Sequence, residues 1–354
     1  MNQLFRKVFQ PCQSDNPKSK ACPEPRRRIE NPKFFGVAVI VFAICGAAAQ
    51  AQQAKVARIG FVVAGPASSV SSRVEAFRQG LRQLGYVEGK NIVVEYRYGE
   101  GKLDRLPVFV ADLIKLKVDV LVSSGSQVTL PATQATSTIP IVMAQDNDPI
   151  GSGFIASFAK PGGNVTGLVN LAAELSAKQI ELLKETVPKL KRVAVLRDPS
   201  EPGSPRTEKE TVLAAQGFAV QTQFTEIKNP GDIEPAFKAI GSKRPDALLV
   251  MTGALANANR KQIVGLAAKS RLPTMYQRAE YVEDGGLMAY GVNINDMYRR
   301  AAIYVDKILK GAKPGELPVE QPTKFDLLFN LKAAKQIGLT IPPNVLVRAD
   351  KVIR

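Results

Sequence analysis

Residues 56–101 read VARIGFVVAGPASSVSSRVEAFRQGLRQLGYVEGKNIVVEYRYGEG. They open with a short apolar run, 56–63, suited to a strand buried on both faces. A turn, AGPASSVSS, follows. Apolar residues then recur at Val74, Phe77, Leu81 and Leu84, the spacing of one helix face. Ser72 and Glu75 stand in the capping-box relation, and Gly85 stops the helix. A second extended run covers 91–97. Strand, helix, strand in that order is the unit of a parallel sheet.

The rest of the chain repeats the unit. A helix is predicted at 103–116, a strand at 118–122, a short helix at 128–135 and a strand at 140–144. An extended piece, 164–169, leads into a second series. That series starts with a helix over 176–187, with Ser176 and Gln179 as its capping box. Strands at 192–196, 218–225, 246–251 and 273–276 alternate with helices at 205–216, 232–241 and 255–269. The segment 286–290 is extended. A helix over 294–310 carries Met297, Ala301, Tyr304, Val305 and Ile308 on one face and ends at Gly311. Residues 314–330 are proline-rich and then extended, and a last helix falls near 331–337. The fold class is therefore α/β, with two doubly wound open parallel-sheet lobes and helices on both faces of each.

Composition excludes many functions. The chain has 354 residues with no histidine and no tryptophan. Ser-His-Asp and Cys-His catalysis both need an imidazole. Zinc sites of the Cys/His type and histidine-ligated haem are excluded for the same reason. The three cysteines, Cys12, Cys22 and Cys45, all lie near the N-terminus. The formal charge is +16, from 48 Lys+Arg against 32 Asp+Glu. Both signs are dispersed along the chain, and the longest basic run is Arg26-Arg27-Arg28, so nucleic acid is not expected as a partner.

Residues 34–49, FFGVAVIVFAICGAAA, are apolar throughout. Lys33 and the three arginines precede them, and Ala49-Gln50-Ala51 follows. Basic region, apolar core and small-residue exit make a secretory signal, with cleavage near Ala51 and a periplasmic destination. About 33 residues ahead of the apolar core is long for such a signal. Cys45 is not a lipidation site, because Ile44 stands where a small residue is needed. Cleavage would leave a thiol-free chain in an oxidising compartment.

In open parallel sheets, ligands bind at the carboxyl ends of the strands. The turn after the first strand offers Ser68 and Ser69, the third Ser124 and Gln127, and the fourth Asp148. In the second half the equivalent turns offer Asp198 and Ser204, then Thr252, then Tyr276 and Glu280, with Tyr290 beyond. Small hydroxyl residues and a few carboxylates suit a small polar ligand carrying both charge signs. Tyrosine adds a flat surface on which a ligand could stack. No G-x-G-x-x-G follows the first strand. No P-loop and no G-x-S-x-G elbow occur anywhere. No catalytic residue, metal site or cofactor is assigned.

Four blocks carry a family resemblance: AFRQGLRQLGYVEGKNIVVEYRYGEG, QATSTIPIVMAQDNDPIGSGFIASFAKPGGNVTGL, LPTMYQRAEYVEDGGLMAYG and YRRAAIYVDKILKGAKPGELPVEQPTKFDLLFNLKAAKQIGLTIPP. From residue 58 onward the chain resembles the ABC-transporter substrate-binding proteins of the tryptophan-binding-like group, which have the type I periplasmic-binding fold. The resemblance implies two lobes joined by a multi-segment hinge, with crossovers near 165–170, 290–293 and 321–326. Lobe one would comprise 56–166 plus 292–325, and lobe two 167–291 plus 326–354, after an N-terminal extension and signal over 1–51. It also implies a solute trapped in the cleft by hinge closure, and docking of the closed monomer on a membrane permease.

Asp148 matches the family's Asp-Pro-x-Gly-Ser-Gly segment, and Tyr276, Glu280 and Tyr290 match its later blocks. Asp198 stands where relatives often have Asn. A carboxylate there favours a cationic or zwitterionic ligand, so the expected solute is an amino acid or similar molecule, with Asp148 or Asp198 pairing its ammonium. Two other classes stay open: a ligand-sensing module for a membrane receptor, and an exported enzyme using the same cleft.

Overall fold

The computed structural model describes residues 56–354 apart from Thr252. The predicted signal segment, its cleavage point and the three cysteines lie outside the described residues. Among the described residues the helices are α1 (Ala67–Gln83), α2 (Leu106–Lys115), α3 (Ser126–Ala135), α4 (Ser176–Thr186), α5 (Ser204–Gly217), α6 (Ile233–Ser242), α7 (Ala254–Ala258), α8 (Arg260–Lys269), α9 (Ala279–Glu283), α10 (Ile294–Leu309), α11 (Leu331–Ile337) and α12 (Pro343–Leu346). None of the described helices is long and apolar enough to cross a membrane.

The first sheet contains β1 (Ala57–Val63), β2 (Ile92–Tyr98), β3 (Val120–Ser124), β4 (Ile141–Gln145) and β5 (Val165–Gly167), in the order β2-β1-β3-β4-β5. Every pairing is parallel. The apolar run of β1 serves both faces because side chains alternate along a strand. Ile59, Phe61 and Val63 meet α1 and α10, whereas Val62 and the following Ala64 meet α2 and α3. Phe61, Phe77 and Tyr298 are fully buried on the first of these faces. Each such side chain stabilises the fold by roughly 1.5–3 kcal/mol.

Helix α10 is distant in sequence yet lies against α1. A Cβ placed on Gly80 would sit 2.3 Å from the Arg299 carbonyl oxygen and 2.8 Å from Ala302 Cβ. Glycine there lets the two backbones approach, and Tyr298, Ala301, Ala302 and Val305 bury the facing stripe.

The second sheet contains β6 (Arg192–Arg197), β7 (Gln221–Glu226), β8 (Ala247–Val250), β9 (Thr274–Tyr276), β10 (Met288–Val292), β11 (Phe325–Asn330) and β12 (Lys351–Ile353). Their order is β12-β11-β10-β9-β8-β6-β7. It is parallel except where β11 runs antiparallel to β10, with Met288 opposite Phe329 and Val292 opposite Phe325. The exception arises because the chain returns from α10 through the proline-bearing segment instead of through a crossover helix on this sheet. Helices α4, α5, α11 and α12 cover one face, and α6 to α9 the other.

The chain passes between the sheets after β5, between β10 and α10, and ahead of β11. Two of these passages lie side by side: the Val169 amide donates to the Glu320 carbonyl at 3.0 Å, and the Glu320 amide donates to the Gly167 carbonyl at 2.8 Å.

Several local expectations are corrected. Helix α1 starts at Ala67, so most of the predicted turn is helical and Ser72 caps nothing. Pro66 holds the extended N-cap with φ −73°, and Val70 continues the buried stripe of Val74 and Phe77. Ser176 and Gln179 form no capping box. Instead the Gln179 amide donates to the Tyr290 carbonyl at 3.0 Å and accepts from Gln277 Nε2 at 3.1 Å. The predicted helix 255–269 breaks at Asn259, whose side chain donates to the Leu255 carbonyl. The short helices α9 and α12 and strand β12 had no periodic signal, being five, four and three residues long.

Candidate functional site

The turns at the carboxyl ends of the two sheets face one another. From the first sheet come Ala64–Ser69 after β1, the start of α3 after β3, and Gln145–Asp148 at the end of β4. From the second come Asp198–Ser204 after β6, the start of α7 after β8, and Gln277–Glu280 after β9. Between them lies a cavity of about 40 Å³, lined from both sides by residues that include Ser69, Arg73, Ser124, Gln127, Asn147, Glu201, Asn257 and Arg278. That volume admits no more than a few water molecules. None of the described residues lining it is aromatic.

Polar contacts close the seam around the cavity. Arg73 donates through Nη2 and Nε to Glu280 Oε1, at 2.8 and 3.1 Å. Gln127 Nε2 donates to Ser200 Oγ at 2.7 Å and to Asp198 Oδ2 at 3.4 Å. Asn147 Nδ2 donates to Glu201 Oε1 at 2.7 Å, and Arg278 Nη2 to Gln145 Oε1 at 2.9 Å. Arg206 Nη1 reaches Asp148 Oδ1 at 3.2 Å. Each contact joins a residue at the carboxyl end of one sheet to a residue at the carboxyl end of the other.

The burial of these charges shifts their protonation. Burial raises Glu201 to about 8, helped by the nearby Asp146 and Asp198 carboxylates. Burial also raises Asp146 to about 7, although the Ser126 and Thr129 hydroxyls donate to its carboxylate. Burial opposes ionisation of Glu280 as well, but Arg73 and Arg278 outweigh it and hold that group down at about 2. Arg278 is lowered to about 10 by burial and by repulsion from Arg73. Its Nε and Nη1 atoms are buried without a partner, as is Gln127 Oε1.

Of the sequence-predicted site residues, Ser69, Ser124 and Gln127 line the cavity. Ser124 also shares a hydrogen bond with the Tyr298 hydroxyl. Ser68 lies outside it, in a hollow beside Arg260, Lys261 and Gln262. Asp148, Asp198, Ser204 and Glu280 are in the facing turns but do not line the cavity. Asp148 accepts from the Gly151 amide and Arg206, Asp198 accepts from Ser200, and Ser204 donates to Glu208. Asp148, expected with Asp198 as a partner for an ammonium, is here engaged by the Gly151 amide and Arg206. Thr252 lies outside the described residues.

Tyr276 and Tyr290 are not stacking platforms in the cleft. The Tyr276 ring is 1 % exposed and stacks on Tyr281 at 4.6 Å inside the second lobe's core. Tyr290 packs on Phe325 across the β10–β11 pair. Their side chains leave the strands toward the helical layers, a direction that strand register decides.

Sequence reasoning missed Arg73, Glu201 and Arg278. Arg73 carried a signal, since a cation sits inside the Val70–Val74–Phe77 stripe where only a paired charge is tolerated. Arg278 stands two residues beyond β9, in a turn already singled out.

Residues 55–353 match the family described as ABC transporter substrate binding protein. A curated relative, the tyrosine-binding protein of Clostridioides difficile (strain R20291), is 23% identical over 275 residues, which is 77% of this chain and 78% of that protein. The structure of a conserved domain protein from Vibrio cholerae is similar with a TM-score of 0.80 and 28% identity, over 84% of this chain and 100% of the other. An ABC domain from Streptococcus pneumonia in complex with L-Trp gives a TM-score of 0.79 and 26% identity, over 84% of this chain and 99% of the other. The chain belongs to the ABC transporter substrate binding protein family and is a solute-binding component of an ABC transporter.

Proposed function

We propose that the chain captures an amino acid or closely similar solute between its two sheets by hinge closure and presents the closed form to a membrane permease. The cleft is lined by residues at the carboxyl ends of both sheets, and this observation carries the reading. A ligand held there touches both lobes only when they are together, so it favours the closed state by its differential affinity. The seam is polar, so parting the lobes returns its groups to water at modest cost. Residues 56–166 with 292–325 act as one lobe and 167–291 with 326–354 as the other, and the paired passages at Val169 and Glu320 form part of the hinge. The N-terminal segment directs export, so capture takes place in the periplasm. The relatives named for tyrosine and crystallised with L-Trp support an amino-acid class.

Small-angle scattering of the purified exported protein tests the mechanism. The radius of gyration falls when a stabilising solute is added and the lobes close. Unchanged dimensions at saturating solute would reject hinge closure.

A further inference from the structure

We infer that the solute is a zwitterionic amino acid with a non-aromatic side chain, its carboxylate on Arg278 and its ammonium on Glu201 and Gln127. The inference rests on the cleft being the solute site and specifies the chemistry of that site.

Arg278 is 3 % exposed and lines the cavity. Only Nη2 is occupied, by Gln145, while Nε and Nη1 have no partner. Arg73, by contrast, donates through both Nε and Nη2 to Glu280 Oε1. A buried guanidinium with two open donors is costly unless an anion completes it, and its planar fork matches a carboxylate.

The same cavity offers the opposite chemistry. Gln127 Oε1 is a buried acceptor with no donor, and the Glu201 carboxyl lines the wall, where Asn147 and the Ser126 hydroxyl donate to it. These acceptors suit an ammonium and disfavour a multiply charged anion such as phosphate. The apolar part of the wall is Val63, Ala64, Val70, Ala254 and Ala258, all small and aliphatic, and Ser69, Ser124 and Asn257 add neutral polar groups. Tyr276 and Tyr281 stack on each other in the core, and none of the described residues lining the cavity is aromatic.

Calorimetry and thermal-shift titration of the exported protein test this with single amino acids, alaninamide, propionate and inorganic phosphate. A non-aromatic amino acid should bind most tightly, and alaninamide and propionate, each lacking one of its two charges, should bind more weakly. Arg278→Gln and Arg278→Met should weaken it roughly 10- to 100-fold. Because a desolvated guanidinium with two unpartnered donors is removed, their unliganded melting temperature should hold or rise, which a merely structural arginine would not allow. Glu201→Gln should weaken amino acids while sparing propionate. Strongest binding by tryptophan or tyrosine would overturn the side-chain assignment. Tightest binding of a carboxylate-free solute, or unimpaired binding by Arg278→Gln, would overturn the role of Arg278. In those cases capture itself still stands. If native mass spectrometry after exposure to a whole-cell metabolite extract finds no bound solute, the capture reading fails instead.

Discussion

Arg73 Nη2 lies 2.8 Å from Glu280 Oε1, and the pair joins the second turn of α1 to the start of α9 across the cleft. Both side chains are largely buried, at 5% and 17% exposure. The contact is made between protein groups alone, so it favours closure whether or not a solute is present. Glu280, expected as a ligand contact, is here held by Arg73 in a contact that can act as a latch.

Breaking the latch on one side leaves a buried charge without its partner. Glu280→Gln or Arg73→Met should lower the stability of the closed state by roughly 3–5 kcal/mol. The lobes relieve this by parting. Scattering should therefore show a larger unliganded radius of gyration, and solute affinity should drop. The double variant Arg73→Met, Glu280→Leu should recover much of the melting temperature, because neither charge remains buried.

The pH dependence follows from three carboxyls with opposite shifts. Glu280 is held at about 2, below its ordinary value near 4.5. Its stabilisation is present above about 4.5 and is lost as pH falls toward 2. Glu201 at about 8 and Asp146 at about 7 are raised. Their protonated forms favour the folded, closed protein, so stability declines as pH rises from their ordinary values toward 8. Asp198, Asn147, Ser126 and Arg278 surround this pair. The unliganded melting temperature should thus peak near pH 5 and fall by pH 8. Glu201→Gln should flatten the alkaline limb. A bound ammonium should flatten it too, since it stabilises the ionised Glu201.

Gly203 sits close against the Asn147–Asp148 turn of the other sheet. A Cβ there would lie 2.8 Å from Asn147 Cβ and 3.3 Å from Asp148 Cβ. Its φ of −79° suits any residue, so Gly203→Ala strains no backbone. The added methyl should prop the seam open. The expected outcome is a larger radius of gyration and weaker solute binding, with little change in far-ultraviolet circular dichroism.

Gly80 plays the corresponding part inside the first lobe. A methyl at this position meets the Arg299 carbonyl oxygen at 2.3 Å, and α10 cannot move without disturbing Tyr298 and Val305 beneath it. Gly80→Ala should lower stability by about 1–3 kcal/mol, as overpacking does. Denaturant unfolding checks this.

The amino-acid sequence alone determined the alternation of strands and helices, because each apolar run and each stop acts locally. Residues 56–63 are predicted as a strand and 331–337 as a helix, and both are found there within a residue. Ser69, Ser124 and Gln127 were reachable because carboxyl-end turns follow from strand order. The resemblance implied crossovers near 165–170, 290–293 and 321–326, and α10 packs against α1 of the first sheet. Tertiary structure alone decided which turn residues face the cleft. Tyr276 and Arg278 are two positions apart, yet one ring is sealed in a core and the other side chain lines the cavity. Tertiary structure likewise turned Glu280 toward Arg73, a residue 207 positions away. No local pattern specifies such a pairing, because the energy of a buried charge depends on which opposite charge the packed lobes bring to it.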